Sequence, residues 1–117
     1  MSLRLNPRAL EHATHLIRAG RYVYDERDAW NGHQPSRKEE EHYLRRHGPD
    51  AYGLWFLGVE SDAREGTRER YALPYGDFSR VHRCAILAAA ARAGEELEAA
   101  VAQLREQLER KNLADVG

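Results

Sequence analysis

Asp77, Arg80, His82 and Arg83 lie within seven consecutive positions of the stretch RYALPYGDFSRVHRCAILAAAARAG, which runs from Arg70 to Gly94. Histidine titrates near neutral pH and can move a proton, and arginine presents a planar fork that matches a carboxylate or phosphate. Tyr71, Tyr75 and Phe78 add aromatic surface beside them. Two uses follow. His82 serves as acid or base while Arg80 or Arg83 holds an anionic substrate, or the same residues form a binding surface for a small anion or a partner. The candidate binding residues are therefore Arg80, His82, Arg83, Tyr75 and Asp77. Asp77 itself reads as a helix cap whose carboxylate accepts the free N–H of Ser79 or Arg80, which makes it an orienter and a poor acid. His82 is expected partly buried at the edge of a face formed by Phe78, Ala85 and Ala89, donating to a backbone carbonyl. No catalytic residue is assigned.

Other chemistries find less support. Cys84 would need nearby cations or a helix N-terminus to become a thiolate nucleophile, and at the start of an apolar run it reads as a small core residue. On a helix, His82 and Cys84 point roughly 200° apart and cannot share an ion. His12 and His15 are helix neighbours, but a zinc site needs two further ligands from His33, His42, His47 and Cys84. The simpler reading is a solvated face with Arg8 and Glu11, and neither metal nor cofactor is expected. No G-x-S-x-G, P-loop or G-x-G-x-x-G string is present. Basic residues beside Tyr22 and Tyr24 (Arg18, Arg21, Arg27), with Arg45 and Arg46, suggest an RNA-binding alternative. The net charge of −1 makes nucleic acid an improbable partner.

These residues need a scaffold, and 117 residues with 42% hydrophobic and 32% charged content give one soluble domain, 1–117. The cations are sixteen Arg and two Lys, an imbalance that a GC-rich coding sequence produces. A single cysteine excludes an internal disulfide, and MSLRLNPRAL lacks an apolar run of signal length. A cytoplasmic protein without a membrane span is expected.

A first helix starts at Asn6 and Pro7 and stops at Gly20, burying Ala9, Leu10, Ala13, Leu16 and Ile17. Tyr22–Tyr24 is short and strand-like, and Asn31-Gly32 marks a turn around Trp30, which should fold back over the core. Ser36-Arg37-Lys38-Glu39 is a capping box opening a second helix that Gly48-Pro49 ends. Segments 54–60 and 69–76 form a β-hairpin, with 50–57 as an alternative helical turn, and Pro74 then needs an edge. The run Cys84–Ala91, apolar on all sides, predicts a core helix over 78–93 that opens at Asp77 and is surrounded by neighbours. The last helix, 95–112, carries a stripe of Leu97, Val101, Leu104 and Leu108 suited to one partner helix, either the core helix or a second copy in a homodimer. Residues 114–117 read as a frayed tail. The fold class is mainly α (α+β), with about four helices and one short hairpin.

The order Trp55-Phe56-Leu57-Gly58, then Tyr75-Gly76-Asp77-Phe78, then Val81-His82-Arg83 and an alanine-rich helix resembles a set of small bacterial proteins of unknown function. That resemblance implies a single bacterial domain and no activity, cofactor or ligand. The sequence thus points to a small interaction or accessory module, and not to an enzyme, that self-associates through its last helix. A small enzyme or anion-binding protein around His82 is the alternative.

Overall fold

The computed structural model describes residues 3–116. It is mainly helical with a small sheet, in the order β1 (Leu3–Leu5), α1 (Pro7–Arg18), β2 (Tyr22–Val23), α2 (Trp30–His33), α3 (Arg37–Gly53), β3 (Phe56–Glu60), β4 (Tyr71–Pro74), β5 (Val81–His82), α4 (Arg83–Arg92) and α5 (Glu95–Val116). No helix among the described residues is long and apolar enough to cross a membrane.

The expected hairpin is β3–β4, paired antiparallel with Gly58 opposite Ala72. β1 joins it on the other side, giving the order β1-β3-β4, so Pro74 does lie on an edge strand, where its missing N–H costs least. Pro7 starts α1 as the sequence suggests, but Asn6 does not cap it. Its side chain instead donates to the Gly53 and Phe56 carbonyls, tying α1 to the start of the sheet. The capping box is present in full, with Glu39 N–H donating to Ser36 Oγ and Ser36 N–H to Glu39 Oε1. Gly48, at φ 87°, breaks α3, and a last turn through Pro49 follows, so the stop and the helical turn near 50 both occur.

Further expectations are corrected. The core helix does not open at Asp77. Asp77 Oδ1 accepts the N–H groups of Ser79 and Arg80, as anticipated, but in a tight turn that returns the chain into β5. Helix α4 begins only at Arg83. The turn is sterically demanding: a Cβ on Gly76 would lie 2.4 Å from the Arg80 carbonyl oxygen. Phe78 is held at φ 70°, and its ring stacks on Tyr43 at 4.3 Å, aromatic contact that offsets the strain. Second, α4 is buried at Cys84, Ala85, Ile86, Leu87 and Ala89, while Ala90 and Ala91 are exposed; methyl groups cost little in water, so the apolar run needed no neighbour on that side.

The third correction concerns the stripe. Gly94 lets α5 fold back, and Leu97, Val101, Leu104 and Leu108 are at most 2% exposed, packed in the main core with residues of α1 and α4. The seam is covered within the chain and offers nothing to a second copy. The expected tail is helix too: α5 continues through Val116, and Gly117 lies outside the described residues.

Candidate functional site

The site grows out of the shortest strands. β2 and β5 pair in parallel, Tyr22 with Val81 and Val23 with His82. Carried two residues further, that register sets Tyr24 beside Arg83 and Asp25 beside Cys84. The contacts agree: the Arg83 guanidinium lies 4.7 Å over the Tyr24 ring, and Asp25 Oδ1 accepts the Cys84 N–H at 2.8 Å. Asp25 thereby satisfies one of the free N–H groups in the first turn of α4, from a distant part of the chain. The four-residue helix α2 then folds Trp30 against Cys84 and Ala85 and brings His33 in from the side.

Asp25 Oδ2 is the hub. His82 Nδ1 lies 2.7 Å from it, His33 Nδ1 2.8 Å, and the Cys84 thiol donates to it at 2.9 Å. The other ring nitrogen of His82, Nε2, lies 2.8 Å from Asp77 Oδ2. His82 therefore sits between two carboxylates, and only a doubly protonated ring can donate to both. The side chains of Asp25 and His82 are 7% and 6% exposed, whereas His33 is 42% exposed and forms the mouth. The ligand atoms of Asp25, His33, His82 and Cys84 all lie within 4.8 Å of one another, in the one grouping of this kind among the described residues. These four could hold a metal ion.

Electrostatics set what the groups can do. Burial alone would raise the Asp25 carboxyl, but hydrogen bonds from the Cys84 thiol, His82, the Cys84 N–H and His33 outweigh it and hold the group well below the carboxylate range. Asp77 is lowered likewise, burial being outweighed by the Arg80 and Ser79 N–H groups and His82. Burial, followed by the Asp25 carboxylate, pushes the Cys84 thiol up to about 12. A neutral thiol is a poor nucleophile.

The structure brings together only part of the expected site. His82 and Asp77 are in it, though His82 meets carboxylates, not a backbone carbonyl. Arg83 forms a second layer, donating to the Asp25 carbonyl at 2.9 Å and facing Glu109. Tyr75 is fully buried and donates to the Leu54 carbonyl, a structural role. Arg80 is exposed and contributes backbone groups to the turn. His12 packs edge-on against Trp55, far from a ligand role. The sequence does not single out Asp25, and it offers His33 and Cys84 only as spare ligands for a site at His12 and His15, with Cys84 otherwise reading as core. The reason is the helix assumed over 78–93: His82 is the extended last residue of β5 and Cys84 lies in the first turn of α4, so the 200° helical separation does not apply and both reach Asp25. Comparison with protein-family models, with curated proteins and with solved structures finds no match to this chain.

Proposed function

We propose that the protein is a small accessory module that works by binding, and that its working element is the centre formed by Asp25, His33, His82 and Cys84, which takes a cation. The observation carrying this reading is the hub: one buried carboxylate oxygen gathers three side chains, His33, His82 and Cys84, from two distant stretches of the chain. The carboxylate is a negative point with three further ligand atoms drawn close around it, which is the arrangement a cation needs. Catalysis draws no comparable support, because the thiol is buried against the Asp25 carboxylate and both nitrogens of the buried histidine are engaged by carboxylates. A partner, if this module has one, must use a surface other than the buried α5 stripe.

The test is a melting curve of chelator-treated protein with magnesium, calcium, manganese or zinc added singly, paired with iodoacetamide labelling of the ion-free protein. A ligand that binds only the folded state raises the melting temperature. At least one cation should do so, and Cys84 should label slowly until the protein unfolds. Rapid labelling of the native protein at neutral pH, with no response to any cation, would return the site to the enzyme reading.

A further inference from the structure

We infer that the ion is a zinc-class divalent transition metal, held by one ligand atom each from Asp25, His33, His82 and Cys84, with Asp77 as the outer carboxylate that orients His82. The inference rests on the cation-binding reading above and names the ion.

Donor chemistry makes the first argument. Calcium and magnesium take six or more oxygen ligands, and this centre offers one carboxylate. Two imidazoles, a thiol and a carboxylate are the ligand types of tetrahedral zinc, and their number fills that coordination. Geometry makes the second. Cys84 Sγ and His33 Nδ1 are 3.8 Å apart. The corresponding S···N edge of a regular zinc tetrahedron, from its usual bond lengths, is about 3.6 Å. Asp25 Oδ2 sits inside that figure, 2.7 to 2.9 Å from its three neighbours. The O···N edge in the same tetrahedron is about 3.3 Å, so the oxygen must withdraw by about half an ångström, a small rotation of the carboxylate.

The outer contacts make the third argument. Metal-bound histidines characteristically donate their second nitrogen to a carboxylate, which fixes the tautomer and the ring. Asp77 Oδ2 stands at His82 Nε2, leaving Nδ1 as the atom that faces the centre. Asp25 is oriented in the same way, since Oδ1 is held by the Cys84 N–H and Oδ2 alone faces inward. The half-exposed His33 gives an ion its way in. On entry the Cys84 thiol releases its proton to solvent, as does any Nδ1 that carries one. A thiolate and a carboxylate then balance the two charges of the ion, and His82 keeps its Nε2–H bond to Asp77.

Cobalt(II) tests this directly, because it takes zinc's geometry and is coloured. Chelator-treated protein titrated with cobalt should bind one equivalent, with the intense ligand-field bands of a tetrahedral ion and a thiolate-to-cobalt charge-transfer band, and zinc should bleach both. Cys84→Ser should abolish the charge-transfer band. Asp77→Asn keeps its turn-capping oxygen and should weaken binding about 10–100-fold at unchanged stoichiometry. His33→Ala removes a half-exposed ring, so the protein should fold by circular dichroism yet lose more affinity than Asp77→Asn. Cobalt bound without the thiolate band, or with equal affinity in His33→Ala, would overturn the assignment. Stabilisation by calcium or magnesium alone would overturn the transition metal and leave the cation-binding reading standing. No response to any divalent ion would overturn both and reduce the centre to a hydrogen-bonded hub.

Discussion

The seam beneath α5 is buried throughout and the centre beneath α2 is buried except at His33, yet they are built on opposite principles. Leu97, Val101, Leu104 and Leu108 recur at helical spacing and meet other apolar side chains, so any one contact has many near-equivalents. Asp25, His33, His82 and Cys84 come from three segments and meet through individual atoms, with no equivalent for any of them. Hydrophobic burial is non-directional and graded by area, whereas a buried carboxylate is costly unless each partner is in place. One region should therefore tolerate a change of shape, and the other should not tolerate a change of chemistry.

The largest effect expected is at the hub. Asp25→Ala leaves the His82 ring, the Cys84 N–H and the His33 ring facing an empty space, and breaking such a buried charged network costs about 3–5 kcal/mol. Urea unfolding of the ion-free protein measures it. Asp25→Leu should fare no better, because the donors stay unsatisfied, and an Asp25→Leu variant as stable as wild type would erase the contrast.

Leu104, fully buried, sharpens the same comparison from the other side. Leu104→Ala should cost about 2–5 kcal/mol through lost burial and a cavity, but Leu104→Met should cost under about 1.5 kcal/mol because the volume is nearly kept. Equal losses for Met and Ala would show that the seam is as exacting as the centre. Sedimentation of Leu104→Ala in its folded fraction should match that of the wild type, since the side chain faces its own chain. A change in oligomeric state would reopen the surface that the fold closes.

The two regions also differ in how much of them the sequence disclosed. The helical spacing along α1 and α5, the Ser36 box and the hairpin flanking 61–68 were legible, because local pattern and local capping determine them. The centre depends on a two-residue parallel ladder and a four-residue helix, elements too short to leave a period. Asp25 bonds groups 57 and 59 positions away, and nothing within its own neighbourhood announces them. His82 and Cys84 were visible as residues, and the Asp77 turn was right in its hydrogen bonds. What misled was continuing the alanine-rich helix back to Phe78, when Gly76 and the left-handed Phe78 make a reversal there. The apolar stripe of α5 likewise told that something covers it, without telling what.

Gly76 links the regions, since its turn delivers β5 and hence His82. Gly76→Ala forces a methyl group against the Arg80 carbonyl and the Trp55 ring, so the backbone must shift, at about 1–3 kcal/mol. The finer readout is the Asp77–His82 contact, followed through the His82 ring signals by NMR. Disturbed ring signals with unperturbed α5 amides would show the turn serving the centre alone. Shifts spread equally through α5 would show that the two regions are one cooperative unit.

The smallest effect belongs to neither region and calibrates both. Ser36→Ala removes the oxygen that accepts the Glu39 N–H at the start of α3 and should cost about 0.5–2 kcal/mol. Glu39 returns the contact to the Ser36 N–H, and that hydrogen bond, with the Ser36 side chain, lowers its pKa. A carboxyl whose pKa is lower in the folded state contributes stability above its unfolded pKa and loses it as pH falls through the folded value. Stability should therefore decline gently below the normal glutamate range through this group, and Glu39→Gln, which accepts the same hydrogen bond without titrating, should remove only that share of the decline. Because Glu39 is exposed and local, the share should be the same in Asp25→Ala and Leu104→Ala backgrounds. A background-dependent share would mean that α3 senses the centre or the seam, and that the separation between local capping and long-range assembly fails at that helix.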